Sequence, residues 1–240
     1  MFIWTGFDYL GEPTPYPWPA RSSYFGIVDL AGFPKDAYYL YQSQWTNKTM
    51  LHLFPHWNWK PGQVIDIWAY YNNADEVELF VNGKSQGVKR KAAGELHVMW
   101  RTQFEPGVIK AVSRKDGKVV LTQEKRTAGA AAKLVLQADR KAIQANGDDL
   151  AFVTIRVEDK DGNLVPDATH NIRFEVSGAG KLAGVDNGWQ TDLTSFKGSE
   201  KRAFNGLCLA ILQSNGKAGN IQLKVSSPGL AGAAISIPAK

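Results

Sequence analysis

A strict two-residue alternation runs through most of this chain, and it leaves little choice of fold. Ile65, Ile67 and Ala69 fall on one face of an extended segment while Asp66, Trp68 and Tyr70 fall on the other. Val77, Leu79 and Val81 then alternate with Glu76, Glu78 and Phe80, and Val153, Ile155 and Val157 alternate with Thr154, Arg156 and Glu158. Side chains point to opposite faces at successive positions only in a β-strand, so each run predicts a strand with one buried face. Asn72-Asn73-Ala74-Asp75 reads as a hairpin loop, Asn82-Gly83 as a type I′ turn, and Lys115-Asp116-Gly117 and Lys160-Asp161-Gly162-Asn163 as further turns. More strands are expected at Leu96–Arg101, Val108–Ser113, Val119–Gln123, Ile172–Val176, Leu207–Leu212 and Ile221–Val225. Closely spaced strands and turns of this kind argue for β-sandwiches.

The first 48 residues break that pattern. Pro13, Pro15, Pro17 and Pro19 forbid regular structure over most of a long loop. Before it, Phe2–Trp4 reads as a short buried strand. After it, a helix is expected from about Lys35 to Trp45, with Pro34 at its start, Asp36 in its first turn and a ridge of Tyr38, Tyr41 and Trp45. One strand and one helix cannot close a core. Of the 27 aromatic residues, 22 lie in residues 1–104, so the two halves of the chain must be built differently. The expected organisation is therefore a dependent zone at 1–48, a β-sandwich at 49–127, a short linker at 128–132 and a second, immunoglobulin-like sandwich of about seven strands at 133–240. The dependent zone is expected to pack irregularly against the second module or to be partly mobile.

Several function classes are poorly served by these residues. The net charge of +5 is spread among scattered Lys and Arg without interleaved aromatics, so no nucleic-acid partner is expected. No run of eighteen apolar residues is present, and no membrane partner is expected. His52 and His56 have a helical ligand spacing, but Pro55 lies between them in a strand-like setting, so no metal site is expected. No phosphate-cradling or dinucleotide motif implies a cofactor. Cys208 lies among Leu207, Leu209 and Ile211 and reads as a buried structural thiol. Met1-Phe2-Ile3-Trp4 opens without the basic region and cleavage site of a leader, and reads as an internal start.

The one grouping that suits chemistry is Trp4, Asp8, Tyr9 and Glu12. Aromatic faces pack on sugar rings and carboxylates accept hydrogen bonds from hydroxyls, so the cluster fits a sugar pocket. The plainer reading of the same residues is a turn-capping Asp8, a solvated Glu12 and a core Trp4.

The run Phe2–Tyr16 (FIWTGFDYLGEPTPY) resembles the eighth barrel strand, and the loop after it, of family 2 glycoside hydrolases of the β-galactosidase type. Ser22–Trp45 resembles the loop and last barrel helix of that family. Trp57-Asn58-Trp59 and Val77–Lys84 are similar to the β-sandwich that follows the barrel. Gly147–Val153, Gly184–Gly188 and Arg202–Gly206 are similar to an accessory immunoglobulin-like domain. The resemblance implies a mostly β chain, with two immunoglobulin-like sandwiches preceded by a remnant of a (β/α)8 barrel. It implies a parent that hydrolyses β-linked sugars with retention, using two glutamates on the fourth and seventh barrel strands. Neither lies in the matching region, so no catalytic residue is expected here and the chain alone should be inactive. Trp4 corresponds to the strand-end tryptophan that lines the pocket for the terminal sugar, and Asp8 and Glu12 lie on the same loop. The implied partners are the upstream catalytic barrel and, through the parent, carbohydrate. The chain would then support the barrel and take part in subunit contacts. The competing reading is a carbohydrate-binding module in which Trp57, Trp59, Trp68 and Trp189 stack on glycans.

Overall fold

The structure is a computed structural model, and it describes residues 2–240. It contains two compact units. One is Pro34–Ala128; the other joins the residues up to Phe33 with Gly129–Lys240. The zone expected at 1–48 is therefore divided at Phe33, with its helix in the first unit and its Pro-rich loop in the second.

In the Pro34–Ala128 unit, helix α1 (Asp36–Trp45) is followed by strands β1 (Leu51–Phe54), β2 (Val64–Tyr71), β3 (Glu76–Val81), β4 (Lys84–Lys89), β5 (Val98–Gln103), β6 (Val108–Lys115) and β7 (Lys118–Arg126). They form a three-stranded sheet, β1-β2-β5, and a four-stranded sheet, β4-β3-β6-β7. The inward faces follow the alternation: Ile65, Ile67 and Ala69 of one sheet share a core with Val77, Leu79 and Val81 of the other. Each of the Val, Leu and Ile side chains among them contributes about 1.5–3 kcal/mol on burial. Asn82 and Gly83 both take positive φ, the two-residue turn that joins β3 to β4 with the twist the strands need. Asn72–Asp75 is not a hairpin loop as expected. It carries the chain from one sheet to the other, because β2 pairs with β1 and β5 whereas β3 pairs with β4 and β6. The Asn72 side chain fixes this crossover by donating to the carbonyls of Thr46 and Lys48 and accepting from the Met50 amide. Helix α1 docks through Tyr39, whose ring stacks on His52 at 3.8 Å, while Nε2 of His52 meets Asp36 at 2.7 Å.

In the other unit, β8 (Ala131–Ala138), β9 (Leu150–Asp159), β10 (Asn171–Gly178), β11 (Gly180–Asp186), β12 (Glu200–Arg202), β13 (Leu207–Ser214), β14 (Gly219–Ser227) and β15 (Leu230–Ala239) run in the spatial order β11-β13-β9-β8-β15-β14-β10-β12. All pairings are antiparallel except β8 with β15. Eight strands stand where about seven were expected, and β12, at three residues, is too short to register as alternation. Val153, Ile155, Val157, Ile172, Phe174, Leu212 and Leu223 are all buried and supply the apolar interior of this unit.

Phe2–Trp4 forms no strand. Phe2 is fully exposed, and the backbone pairing begins only at Thr5. From there the chain pairs with itself across the Pro-rich loop: Thr5 bonds Phe25 and Ile27, Asp8 bonds Val28, Ser23 bonds Tyr9, and Gly11 bonds Arg21. With prolines between the two arms the ladder stays irregular, first parallel at Phe7 and Val28, then antiparallel at Leu10 and Ser22.

The expected short linker at 128–132 is bonded at its start and runs into a strand. Ala128 is clamped by the Asn58 side chain, which donates to its carbonyl and accepts from its amide. Gly129 donates to Asp159, and β8 starts at Ala131. Asp159 is nearly fully buried. Burial alone would raise its carboxyl, but donors from the Asn163 side chain and from the amides of Gly129, Asn163 and Asp161 outweigh that and hold it at about 2. A depressed carboxyl stabilises the fold above its ordinary pKa, and this contribution is lost as pH falls from about 4 towards about 2. Asp159→Ala leaves several buried donors unmatched and is expected to cost about 2–4 kcal/mol in chemical denaturation near neutral pH. The difference from the parent should shrink below pH about 4; a difference that stays constant down to pH about 2 would contradict this role.

Candidate functional site

The segment from Trp4 to Glu12 carries the sequence-derived site residues, and the structure sorts them into an outer and an inner set. Trp4 is 73% exposed and Glu12 is exposed. Nε1 of Trp4 donates to the Tyr9 hydroxyl at 3.3 Å, and that hydroxyl donates in turn to Oε2 of Glu12. The Trp4 and Tyr9 rings meet edge to face at 6.4 Å. Glu12 has φ of 47°, a left-handed conformation that strains a residue with a Cβ. The result is a compact rim of two aromatic rings and one carboxylate. The bond to Glu12, first, and burial, second, raise the Tyr9 hydroxyl above its ordinary value, so Tyr9 holds its proton at neutral pH. Trp4 is not the core residue of the plainer reading.

Asp8 points the other way. It is 3% exposed, and its Oδ1 accepts from the Gly26 amide at 2.8 Å while Oδ2 accepts from Nε2 of Gln190 at 3.3 Å. Gly26 is required here, because a Cβ on it would come within 2.1 Å of the Asp8 nitrogen. Asp8 thus links the Gly26 backbone to the Gln190 side chain. Sequence reasoning missed Gln190, whose partner lies 182 positions away. Nothing in local sequence marks such a pair.

Of the four tryptophans of the binding-module reading, Trp57, Trp59 and Trp68 lie in the Pro34–Ala128 unit and Trp189 in the other. Trp57 is 1% exposed, packs edge to face on Phe104 and donates to the Glu105 carbonyl, so it is a core residue. The ring of Trp59 stacks on His56 at 4.5 Å and its Nε1 donates to the His56 carbonyl. Trp68 stacks on His97 at 4.2 Å. Trp189 stacks on Phe204 at 5.2 Å, which covers one of its faces. Each ring is already engaged with a neighbouring ring of the protein.

No group of three or more His, Cys, Asp or Glu side chains among the described residues could hold a metal ion. Burial pushes the Cys208 thiol up to about 12 and its Sγ bonds the Asp186 carbonyl, so it is neither a nucleophile nor a ligand at neutral pH.

Residues 134–236 match the family described as "Glycoside hydrolase family 2 C-terminal domain 5", and residues 62–121 match a domain of unknown function. The chain carries the C-terminal region of a family 2 glycoside hydrolase. It is 59% identical over 240 residues to the Bacteroides ovatus protein named beta-galactosidase BoGH2A, covering all of this chain and 28% of that protein. A beta-glycosidase from Bacteroides vulgatus superposes with a TM-score of 0.91 at 39% identity, over 98% of this chain and 30% of that one. A family 2 member from Bacteroides cellulosilyticus superposes with a TM-score of 0.92 at 28% identity, over 100% of this chain and 36% of that one. The chain thus spans roughly a third of the length of these relatives.

If the Tyr9–Glu12 bond holds the tyrosine proton, Glu12→Gln should lower the Tyr9 pKa towards its ordinary value. NMR titration of the chain with labelled tyrosine reads this directly. An unchanged Tyr9 titration would mean that the bond does not form in solution.

Proposed function

We propose that this chain is a non-catalytic part of a longer retaining β-glycosidase, to which it supplies one wall of the pocket for a terminal β-linked sugar. The exposed Trp4–Tyr9–Glu12 rim carries the reading. The rings offer a face for the apolar side of a sugar, and Glu12 accepts hydrogen bonds from hydroxyls. The likeness to BoGH2A favours a galactoside as that sugar.

The same rim argues against a complete active site here. A retaining mechanism needs two carboxyl groups about 5–5.5 Å apart facing the glycosidic bond. In this cluster Glu12 is exposed, but Asp8 is buried and bonded to Gly26 and Gln190. The catalytic pair must then come from another part of the parent. Phe2, Trp4, Phe7, Leu10, Tyr16 and Trp18 are all exposed within one short stretch. Large apolar residues concentrated in this way mark a surface that another body covers, and the upstream barrel is the body we assign to it.

The test uses an aryl β-galactoside. The 240-residue chain should give no hydrolysis above background, whereas the longer polypeptide containing the barrel should turn the substrate over. In that polypeptide Trp4→Ala should lower kcat/KM by roughly 10- to 100-fold, the loss of about 1.4–3 kcal/mol of ring contact in the transition state. Turnover by the 240-residue chain alone would overturn the proposal.

A further inference from the structure

The rim sits on a segment that is bonded to a loop of the C-terminal sandwich, residues 187–199 between β11 and β12. We infer that Gln190 of this loop is a positioning residue for the sugar-facing wall, acting through the buried carboxylate of Asp8. The inference rests on the proposed function for its kinetic consequence and on the structure alone for its mechanical one.

Gln190 engages the wall twice. Its carbonyl accepts from the Arg21 amide at 3.0 Å, and its side chain donates to Asp8 at 3.3 Å. Both contacts pass on to the rim. The Arg21 carbonyl accepts from Gly11, the residue before Glu12, at 2.7 Å. Asp8 precedes Tyr9, whose amide donates to Oγ of Ser23 and whose carbonyl accepts from the Ser23 amide. The two residues that complete the rim are therefore each one position from an atom fixed by Gln190 or by its immediate partner. Arg21 adds a second hold, with its guanidinium 4.7 Å from the Phe196 ring of the same loop.

The loop itself is fixed by more polar bonding than a surface loop needs. Asn187 donates to Asp192 at 2.7 Å and to the Arg202 carbonyl at 3.0 Å. Lys201 is 1% exposed, with Nζ 3.2 Å from Asp192 and bonded to both oxygens of Thr194. A buried ion pair contributes little net stability against an apolar substitute but enforces one geometry. Gln190, 8% exposed, lies between Asn187 and Asp192 in sequence, within that frame. A group that must be held to within about 0.5 Å needs such a supporting layer.

Gln190→Leu keeps the side-chain bulk and removes the donor. In the 240-residue chain the amides of Tyr9 and Gly11 should then exchange with solvent at least about ten-fold faster, while those of β9 stay protected. In the longer polypeptide with the barrel, KM for an aryl β-galactoside should rise several-fold with kcat and its pH profile retained, because the wall binds the sugar and performs no proton transfer. Val153→Ala, a cavity in the same sandwich far from the loop in sequence, is the control for general loosening. Unchanged exchange at Tyr9 and Gly11, equal acceleration in Val153→Ala, or faster exchange with unchanged KM would each overturn the inference. If the wild-type longer polypeptide hydrolyses no β-galactoside, the proposed function fails, and the exchange measurement still decides whether Gln190 holds the wall.

Discussion

A buried carboxylate organises the unit that carries the candidate site. Asp8 is removed from water within a stretch that otherwise lacks regular structure, and a buried charge without partners would cost several kcal/mol. Its oxygens are met by a backbone amide at Gly26 and by the Gln190 side chain. The first donor ties together the two arms of the Pro-rich loop. The second ties both arms to a sandwich whose strands begin more than a hundred residues later. Because Asp8 faces inward, its neighbour Tyr9 and, four positions to either side, Trp4 and Glu12 can face outward on a fixed base.

The core of Pro34–Ala128 and the loop 187–199 reach order by different means. Pro34–Ala128 relies on alternating apolar side chains from two sheets, with Trp57 and Phe104 filling the end of the core. The loop 187–199 relies on Asn187, Asp192, Thr194 and Lys201, where hydrogen bonds specify a geometry that apolar packing would leave loose. A core needs only volume and patterning, whereas a network of buried polar groups takes one defined position.

Much of the fold was legible from the sequence because period-two alternation is a local property. It places Ile65, Val77 and Val153 on inward faces without reference to any partner, and Asn82-Gly83 announces its turn by the φ values it must adopt. What alternation cannot say is which strand pairs with which, so Asn72–Asp75 read as a hairpin loop although it crosses between sheets. Local sequence also places Trp4, Asp8, Tyr9 and Glu12 in one short stretch, and the structure links Trp4 to Glu12 through Tyr9. Local sequence does not announce that Asp8 is buried against Gln190, because that partner is remote in sequence. Trp57 read as a platform because composition alone does not separate a core tryptophan from an exposed one.

That the Pro-rich segment is folded as part of the C-terminal sandwich's own body is tested most directly by limited trypsin digestion of the 240-residue chain under native conditions. The amide of Arg21 bonds Gln190 and its carbonyl bonds Gly11, so the Arg21–Ser22 bond is cut only when that body opens. Cleavage after exposed Lys48 and Lys141 should precede cleavage after Arg21 by orders of magnitude, and Arg21 should become sensitive only at denaturant concentrations that unfold the sandwich. Cleavage at Arg21 as fast as at those exposed lysines, with the sandwich still folded, would contradict it.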